Sequence, residues 1–130
     1  MKVILNKCYG GFGLSDAAYQ AYAKKRGLQL FTYDINCNKV SSKDNFWVTY
    51  FTKDFGEHVD RTNKDVYKYI LRLNEDYRTD PILIEVIETL GEVANGFCSK
   101  LKIVDIPDGM EYVIDEYDGV ETLHQKVREW

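Results

Sequence analysis

The sequence predicts an α+β fold in which two or three helices cover a mostly antiparallel or mixed β-sheet. Three observations support this: several runs are rich in β-branched and aromatic residues, two stretches have helical periodicity, and turn residues separate these segments at short intervals. The length of 130 residues suits a single domain over residues 1–130. Within it, the polar segment 39–64 is expected to be a mobile insertion.

The clearest local pattern is a strand, a glycine-rich loop, a helix and a second strand at the start of the chain. An aliphatic run predicts a buried strand within residues 2–8. A helix is expected over 17–26, because Ser15 suits the N-cap and Gly27 suits the glycine that ends a helix. Alternating apolar residues predict the second strand at 28–33.

The middle of the chain is less regular. Strand propensity is high at 46–51. Residues 66–73 fit both an alternating strand and a helical stripe, and we favour the strand slightly. Order resumes at Asp80, which suits an N-cap before Pro81, and the helix is expected to end at residues 95–96.

The last part of the chain is predicted to form a hairpin and a terminal helix. Strands are expected at 101–106 and 110–117, joined through the turn residues 107–109. A short helix should follow, because apolar residues then recur at helical spacing: Val120, Leu123, Val127 and Trp130.

Charge is distributed unevenly along the sequence. The chain has 17 Lys and Arg against 21 Asp and Glu, a net charge of −4. Residues 1–79 carry a net +4 and residues 80–130 a net −8. The sequence lacks the dense basic stripe that binding of duplex DNA requires. It also lacks an apolar run of about 18 residues, the length that a membrane span needs. We therefore expect neither duplex nucleic acid nor membrane as a partner, and a cytoplasmic location.

The cysteine and histidine pattern predicts no metal site and no other cofactor. Cys8, Cys37 and Cys98 are scattered, and His58 and His124 are isolated from them and from each other. Structural zinc sites need closely spaced pairs of such ligands. Reduced thiols are the expectation, and no residue is assigned as catalytic.

The loop at residues 9–15 is the first candidate site. Glycines after a strand let successive N–H groups converge, and the following helix start favours an anion. The loop lacks the Gly-Lys-Ser/Thr ending of a Walker A motif, and Asp16 replaces the third glycine of GxGxxG. A tight turn that packs the helix against the sheet is the alternative. The candidate ligand-binding residues here are Tyr9, Gly10, Gly11, Phe12 and Gly13.

A second candidate group lies in the C-terminal stretch. Asp118 or Glu116 would accept ribose hydroxyls. Aromatic rings are expected near a pocket or a subunit contact, and His124 with Asp115 or Asp118 is a weaker hydrolytic pair unsupported by spacing. The alternative is a solvated hairpin edge with a surface histidine. The remaining candidates are the cations His124, Lys126 and Arg128 and the rings Tyr9, Phe12, Tyr117 and Trp130.

Both ends of the sequence carry a resemblance. The opening KVILNKCYGGFGLS, the IPDG segment near residue 107, and the ending EYDG through REW are similar to a family of small uncharacterised bacteriophage and prophage proteins. The likeness covers about residues 1–33 and 79–130. It implies a phage-encoded protein that acts in a bacterial cytoplasm, where small phage proteins often counter host defence.

These observations lead to three functional hypotheses. The first is a non-enzymatic homo-oligomer that sequesters a nucleotide-derived immune signal, such as a cyclic ADP-ribose isomer or a cyclic nucleotide. The second is an inhibitor that binds a host defence protein through the acidic C-terminal half. The third is a small phosphodiesterase or hydrolase that acts on the same signals.

Overall fold

The structure, a computed structural model, describes residues 1–43 and 47–126 and confirms the α+β fold. The chain divides into two compact units. The first unit comprises Met1–Tyr22 and Leu73–Trp130, and the second comprises Ala23–Arg72. Every strand pairing in the described residues is antiparallel.

The regular elements are short, and three 3₁₀ helices accompany the two α-helices of the described chain. In chain order the strands and α-helices are β1 (Lys2–Asn6), α1 (Asp16–Arg26), β2 (Phe31–Tyr33), β3 (Thr49–Phe51), β4 (Ile70–Leu71), α2 (Pro81–Leu90), β5 (Leu101–Asp105), β6 (Tyr112–Tyr117) and β7 (Val120–Gln125). The 3₁₀ helices are Lys64–Tyr69, Glu75–Tyr77 and Gly91–Ala94.

Both helix starts follow the sequence prediction, but α2 ends at Leu90 rather than at the predicted residues 95–96, because Gly91 has a positive φ and a 3₁₀ helix, Gly91–Ala94, follows. The Ser15 hydroxyl accepts the Ala18 N–H at 3.2 Å, and Gly27 after α1 has φ of 69°. The Asp80 carboxylate accepts the N–H groups of Ile82 and Leu83, with Pro81 at the first helical position of α2. These caps confirm both predicted helix starts, because side-chain oxygens satisfy N–H groups that have no partner within the helix.

The first unit contains two separate two-stranded sheets. β1 pairs with β5, from Lys2 opposite Asp105 to Asn6 opposite Leu101, and β6 pairs with β7. One face of the β6–β7 hairpin packs through Tyr112, Ile114 and Leu123 on a buried cluster of this unit that includes Val3, Leu5 and Ile106.

Two predictions for the C-terminal half are wrong. The strands 101–106 and 110–117 exist, but they do not pair with each other, because β5 pairs with β1 and β6 with β7. The predicted C-terminal helix is β7 over the described residues 120–125. Asp118 and Gly119 have φ of 49° and 91°, and a two-residue turn with two positive φ values closes an antiparallel hairpin. Because this tight turn positions residues 120–125 for pairing with β6, they form a strand despite the helical spacing of their apolar residues.

The second unit contains a three-stranded sheet, β2-β3-β4. Its buried core comprises Tyr33, Phe51, Val59 and Val66. The preference for a strand at 66–73 is correct only for β4, since the 3₁₀ helix covers the residues up to 69.

Parts of segment 39–64 belong to this core. Phe51 is fully buried and Val59 nearly so, and residues 44–46, with Phe46 of the predicted strand, lie outside the described residues. The mobility of the segment, and its assignment to a single domain with the rest, stay predictions. No described helix combines the length and apolarity needed to cross a membrane.

Candidate functional site

The glycine loop, residues 9–14, contacts the turn of the β6–β7 hairpin. The Gly10 N–H donates to the Asp118 carbonyl at 3.2 Å. Gly119 lies so close that a Cβ on it would overlap the backbone N of Gly11 and stand 2.7 Å from that of Gly10. The glycines of the loop and of the turn therefore allow two backbones to approach closely.

The other side of the glycine loop is held by residues 93–99. The Gly13 carbonyl accepts the Gly96 N–H at 3.1 Å and the Ser99 hydroxyl at 2.6 Å. The Ser15 N–H donates to the Ala94 carbonyl at 2.9 Å. Any Cβ on Gly10 would overlap the side chain of Cys98. The loop is thus bonded on two sides within the first unit.

Three consecutive N–H groups of the loop have no hydrogen-bond partner among the residues that the structure describes. The structure gives no hydrogen bond from the N–H of Gly11, Phe12 or Gly13 to any residue that it describes. All three residues are partly exposed. Unpaired N–H groups at a strand-to-helix junction can donate hydrogen bonds to an anion.

Exposed aromatic rings surround this junction. Tyr9 is 67% exposed and precedes Gly10, while Tyr117 is 75% exposed and precedes Asp118. Phe97 is also exposed and precedes Cys98, which contacts Gly10. Three exposed aromatic residues are therefore sequence neighbours of residues that contact each other at the glycine loop. Enrichment in aromatic residues is typical of binding surfaces.

An ion pair lies beneath the loop and closes the free edge of β1. Arg78 donates to both carboxylate oxygens of Glu121, at 3.1 and 2.8 Å. It also donates to the Ile4 carbonyl at 2.8 Å, and its own carbonyl accepts the Ile4 N–H at 2.8 Å. The guanidinium lies 5.3 Å from the centre of the Phe12 ring. Arg78 thus supplies bonds that a neighbouring strand would otherwise supply.

Buried Asn6 connects β1 with this ion pair and with the hairpin turn. Its N–H donates to the Glu121 carboxylate at 2.8 Å, and its side-chain amide donates to the carbonyls of Gly119 and Cys8. Its side-chain oxygen accepts the Lys100 N–H at 2.9 Å. The backbone N–H and both polar side-chain atoms of Asn6 therefore have partners, as buried polar groups require.

The environment of Glu121 favours its charged form. Burial raises the pKa of this carboxyl, but hydrogen bonds from Arg78 and from the Asn6 N–H outweigh burial, so the pKa lies below its ordinary value. Glu121 is only 5% exposed. The carboxylate is therefore part of the folded structure rather than a group that a ligand reaches first.

The structure unites only part of the predicted site. Asp118 lies at the glycine loop, but His124 is five residues beyond the turn, about 17 Å along a strand. Lys126 is further still and donates its N–H to the Glu111 carbonyl. Within one chain these cations do not join the glycine loop, because residues 120–125 are extended. The predicted site residues Arg128 and Trp130 lie outside the described residues.

His124 is paired across the hairpin. Its Nε2 lies 3.2 Å from an Asp115 carboxylate oxygen and 3.2 Å from the Thr122 hydroxyl. The histidine and the aspartate are mostly exposed. The register of β6 and β7 thus brings His124 and Asp115 together on an exposed surface, although their sequence spacing did not indicate a pair.

Sequence reasoning did not predict the buried contacts of Arg78, Glu121 and Asn6. Arg78 lies between elements and reaches β1 and β7, so no local spacing marks it. One sequence pattern does predict the hairpin: Asp118-Gly119 between two alternating runs is typical of a two-residue turn. Reading it would have placed Glu121 on the face directed towards the core.

The comparisons with known proteins give no family. No protein-family model matches the chain, and neither a curated protein nor a solved structure matches it. The resemblance to phage proteins stays a prediction. In the described part of the chain no group of three or more His, Cys, Asp or Glu side chains is placed to hold a metal ion.

Proposed function

We propose that this protein is a non-enzymatic binding protein that captures a nucleotide-derived, phosphorylated small molecule at the glycine loop. The observation that carries the proposal is the row of unpaired N–H groups at Gly11, Phe12 and Gly13 beside exposed rings. A phosphate accepts such N–H groups, and a base stacks on an exposed ring. Asp118 at the same junction is suited to ribose hydroxyls.

The biological setting of this proposal is a bacteriophage protein in the cytoplasm of its host. The resemblance at both ends of the sequence supports that setting. A nucleotide-derived immune signal, such as a cyclic ADP-ribose isomer or a cyclic nucleotide, has the required phosphates, ribose and base. A homo-oligomer would let His124 and Lys126 of one copy supply charge to the glycine loop of another.

Isothermal titration calorimetry with cyclic nucleotides and ADP-ribose derivatives tests the proposal. We expect at least one ligand to bind with a Kd below about 100 μM, or about −5.5 kcal/mol. Release of the intact ligand on heating, measured by mass spectrometry, is expected for a protein that sequesters it. Absence of binding across the panel would reject the proposal.

A pair of variants tests whether the ligand binds at the glycine loop. Tyr117→Ala removes an exposed ring beside the glycine loop, and we expect a loss of about fivefold in affinity. Tyr67→Ala is the control, because Tyr67 is also an exposed tyrosine, at 47%, but belongs to the second unit. Equal effects of the two substitutions would contradict binding at the glycine loop.

A second candidate function is inhibition of a host defence protein. The first unit holds 7 Lys and Arg against 15 Asp and Glu. The outward face of the β6–β7 hairpin exposes Val113, Asp115 and Tyr117, which combine acidic and apolar groups. A host protein captured by the wild type but not by Asp115→Lys would favour inhibition, and capture by both would count against it.

The hydrolase alternative depends on the His124–Asp115 pair. Histidine hydrogen-bonded to a carboxylate serves as a general base in many hydrolases. Incubation of the same ligands with wild type and His124→Ala, followed by mass spectrometry, tests it. Breakdown by the wild type alone would replace sequestration with catalysis, and intact recovery from both proteins would reject it.

A further inference from the structure

The second unit has an excess of positive charge that the first unit lacks. Residues 23–72 contain ten Lys and Arg against six Asp and Glu. The basic half noted in the sequence therefore belongs to this unit, and the first unit is acidic.

One group of cations lies on aromatic rings just beyond β3. Lys53 Nζ is 5.6 Å from the centre of the Phe55 ring and 5.1 Å from that of Tyr69. Lys68 Nζ is 5.3 Å from the same Tyr69 ring. No carboxylate of the described residues pairs with either lysine, unlike Lys39, whose ammonium is 2.8 Å from Asp54.

These rings are anchored to the interior. Edge-to-face contacts connect buried Tyr33 with Phe51, Phe51 with Phe55, and Phe55 with Tyr69, at centroid distances of 5.3, 5.5 and 5.7 Å. The outermost ring of this series, Tyr69, is partly exposed and is held in place by its contact with Phe55. A rigid ring is a good stacking platform, because little side-chain freedom is lost when a base stacks on it.

The other end of β3 carries a second combination of cation and ring. Arg61 donates to the Thr49 hydroxyl at 3.1 Å, and its buried Nε has no hydrogen-bond acceptor in the described part of the chain. Its guanidinium has no carboxylate partner there either. Trp47, two residues before Thr49, exposes 75% of its surface.

We infer that the second unit binds single-stranded nucleic acid through the surfaces at the two ends of β3. Phosphates would meet Lys53 and Lys68 at one end and Arg61 at the other, and bases would stack on Tyr69 and Trp47. Aromatic platforms alternating with cations are how single strands are bound without sequence preference. An acidic protein segment would need the cations but not the rings, and a duplex hides the faces of its bases. This goes beyond the proposed function, since it concerns the other unit.

Fluorescence anisotropy with a labelled oligothymidylate of about 12 nucleotides tests this inference. We expect binding at low salt, with a slope of log K against log salt of about −2, or about −0.7 for each of three phosphate contacts. The double variant Lys53→Gln/Lys68→Gln should reduce the slope to about −0.7. Trp47→Ala should weaken binding about tenfold and leave the slope unchanged.

A charge-matched control separates this site from net charge. Lys24→Gln/Lys64→Gln removes the same charge from exposed lysines of the second unit, and neither lies over a ring in the described residues. We expect its slope to stay close to that of the wild type. Circular dichroism melts of all variants verify that they are folded.

Four outcomes would overturn the inference. These are no binding below about 100 μM at low salt, equal effects of the two double variants, duplex DNA or polyphosphate binding as tightly as the oligonucleotide, and self-association without nucleic acid that Lys53→Gln/Lys68→Gln abolishes. The last would identify the acidic unit of a second copy as the partner. A failure here leaves the calorimetric test of the glycine loop unaffected.

Discussion

Gly119 shows how a single residue determines contacts far along the chain. It has φ of 91° and lies against the backbone of Gly10 and Gly11, while its carbonyl accepts the Asn6 amide at 2.7 Å. A side chain here would be strained by the backbone conformation and would also displace the glycine loop. Two separate requirements thus favour glycine at this position.

Gly119→Ala should therefore destabilise the protein more than a substitution with the same backbone strain alone. Gly109→Ala is the matched control, because Gly109 has φ of 78° and no atom within 4 Å of an added Cβ. We expect Gly109→Ala to lower the free energy of unfolding by about 1 kcal/mol. For Gly119→Ala we expect about 1–3 kcal/mol more, since a backbone must move.

Urea denaturation followed by circular dichroism measures both values. Equal losses for the two variants would show that the Gly119 contact with the glycine loop contributes nothing to stability.

At the scale of elements, the Arg78–Glu121 pair joins β1 and β7. It provides partners for the Ile4 carbonyl and the Asn6 N–H at an edge where β1 has no neighbouring strand. The side chains of Arg78 and Glu121 are 13% and 6% exposed. Loss of one partner would leave the other charge buried without compensation.

Glu121→Ala should accordingly lower the free energy of unfolding by about 3–5 kcal/mol. Glu88→Ala is the control, since it breaks an ion pair of similar length, 2.9 Å to Lys2, between half-exposed side chains. We expect that control to cost less than about 1 kcal/mol. A similar loss in both variants, measured by urea denaturation, would contradict a structural role for the buried pair.

The elements also show where local patterns stop being informative. The caps at Ser15 and Asp80 involve residues two or three positions apart, so the sequence alone predicted them. The partner of β5 is β1, about 100 residues away, and no local pattern indicates that pairing. The sequence therefore predicted both β1 and β5 but not their pairing.

At the scale of the whole molecule, charge differs between the two units and stability depends on pH. The first unit is acidic and the second basic, with net charges of −8 and +4. In the part of the folded chain that the structure describes, hydrogen bonds lower the pKa of four carboxyl groups, and at Glu121 they do so despite its burial. The other three are Asp54, bonded by Lys39, Asp60, bonded by Thr62, and Asp108, bonded by the N-terminal ammonium.

Stability should consequently fall in acid. A carboxyl with a lowered pKa in the folded state binds fewer protons than in the unfolded chain, so its contribution is complete above the unfolded pKa of about 4. The contribution is lost as the pH falls through the lower folded pKa. Glu121→Gln should flatten this part of the stability curve, because it removes one such group.

Urea denaturation at a series of pH values from neutral to about 3 measures this dependence. Asp65→Asn, at an exposed carboxylate, is the control and should leave the curve close to wild type. Curves of Glu121→Gln and wild type that remain parallel would contradict the prediction.

The sequence by itself determined the fold class, both α-helix starts, most strand positions and the glycine loop, because these depend on neighbours within a few residues. Tertiary structure decided the pairing of β5 with β1, the extended state of residues 120–125, and the burial of Arg78 with Glu121. It also divided the candidate site, with Asp118 at the glycine loop and His124 and Lys126 along the hairpin. These outcomes depend on which distant residues provide hydrogen-bond partners for the edge of β1 and for a buried charge. Residues within a few positions of each other in the sequence do not indicate those partners.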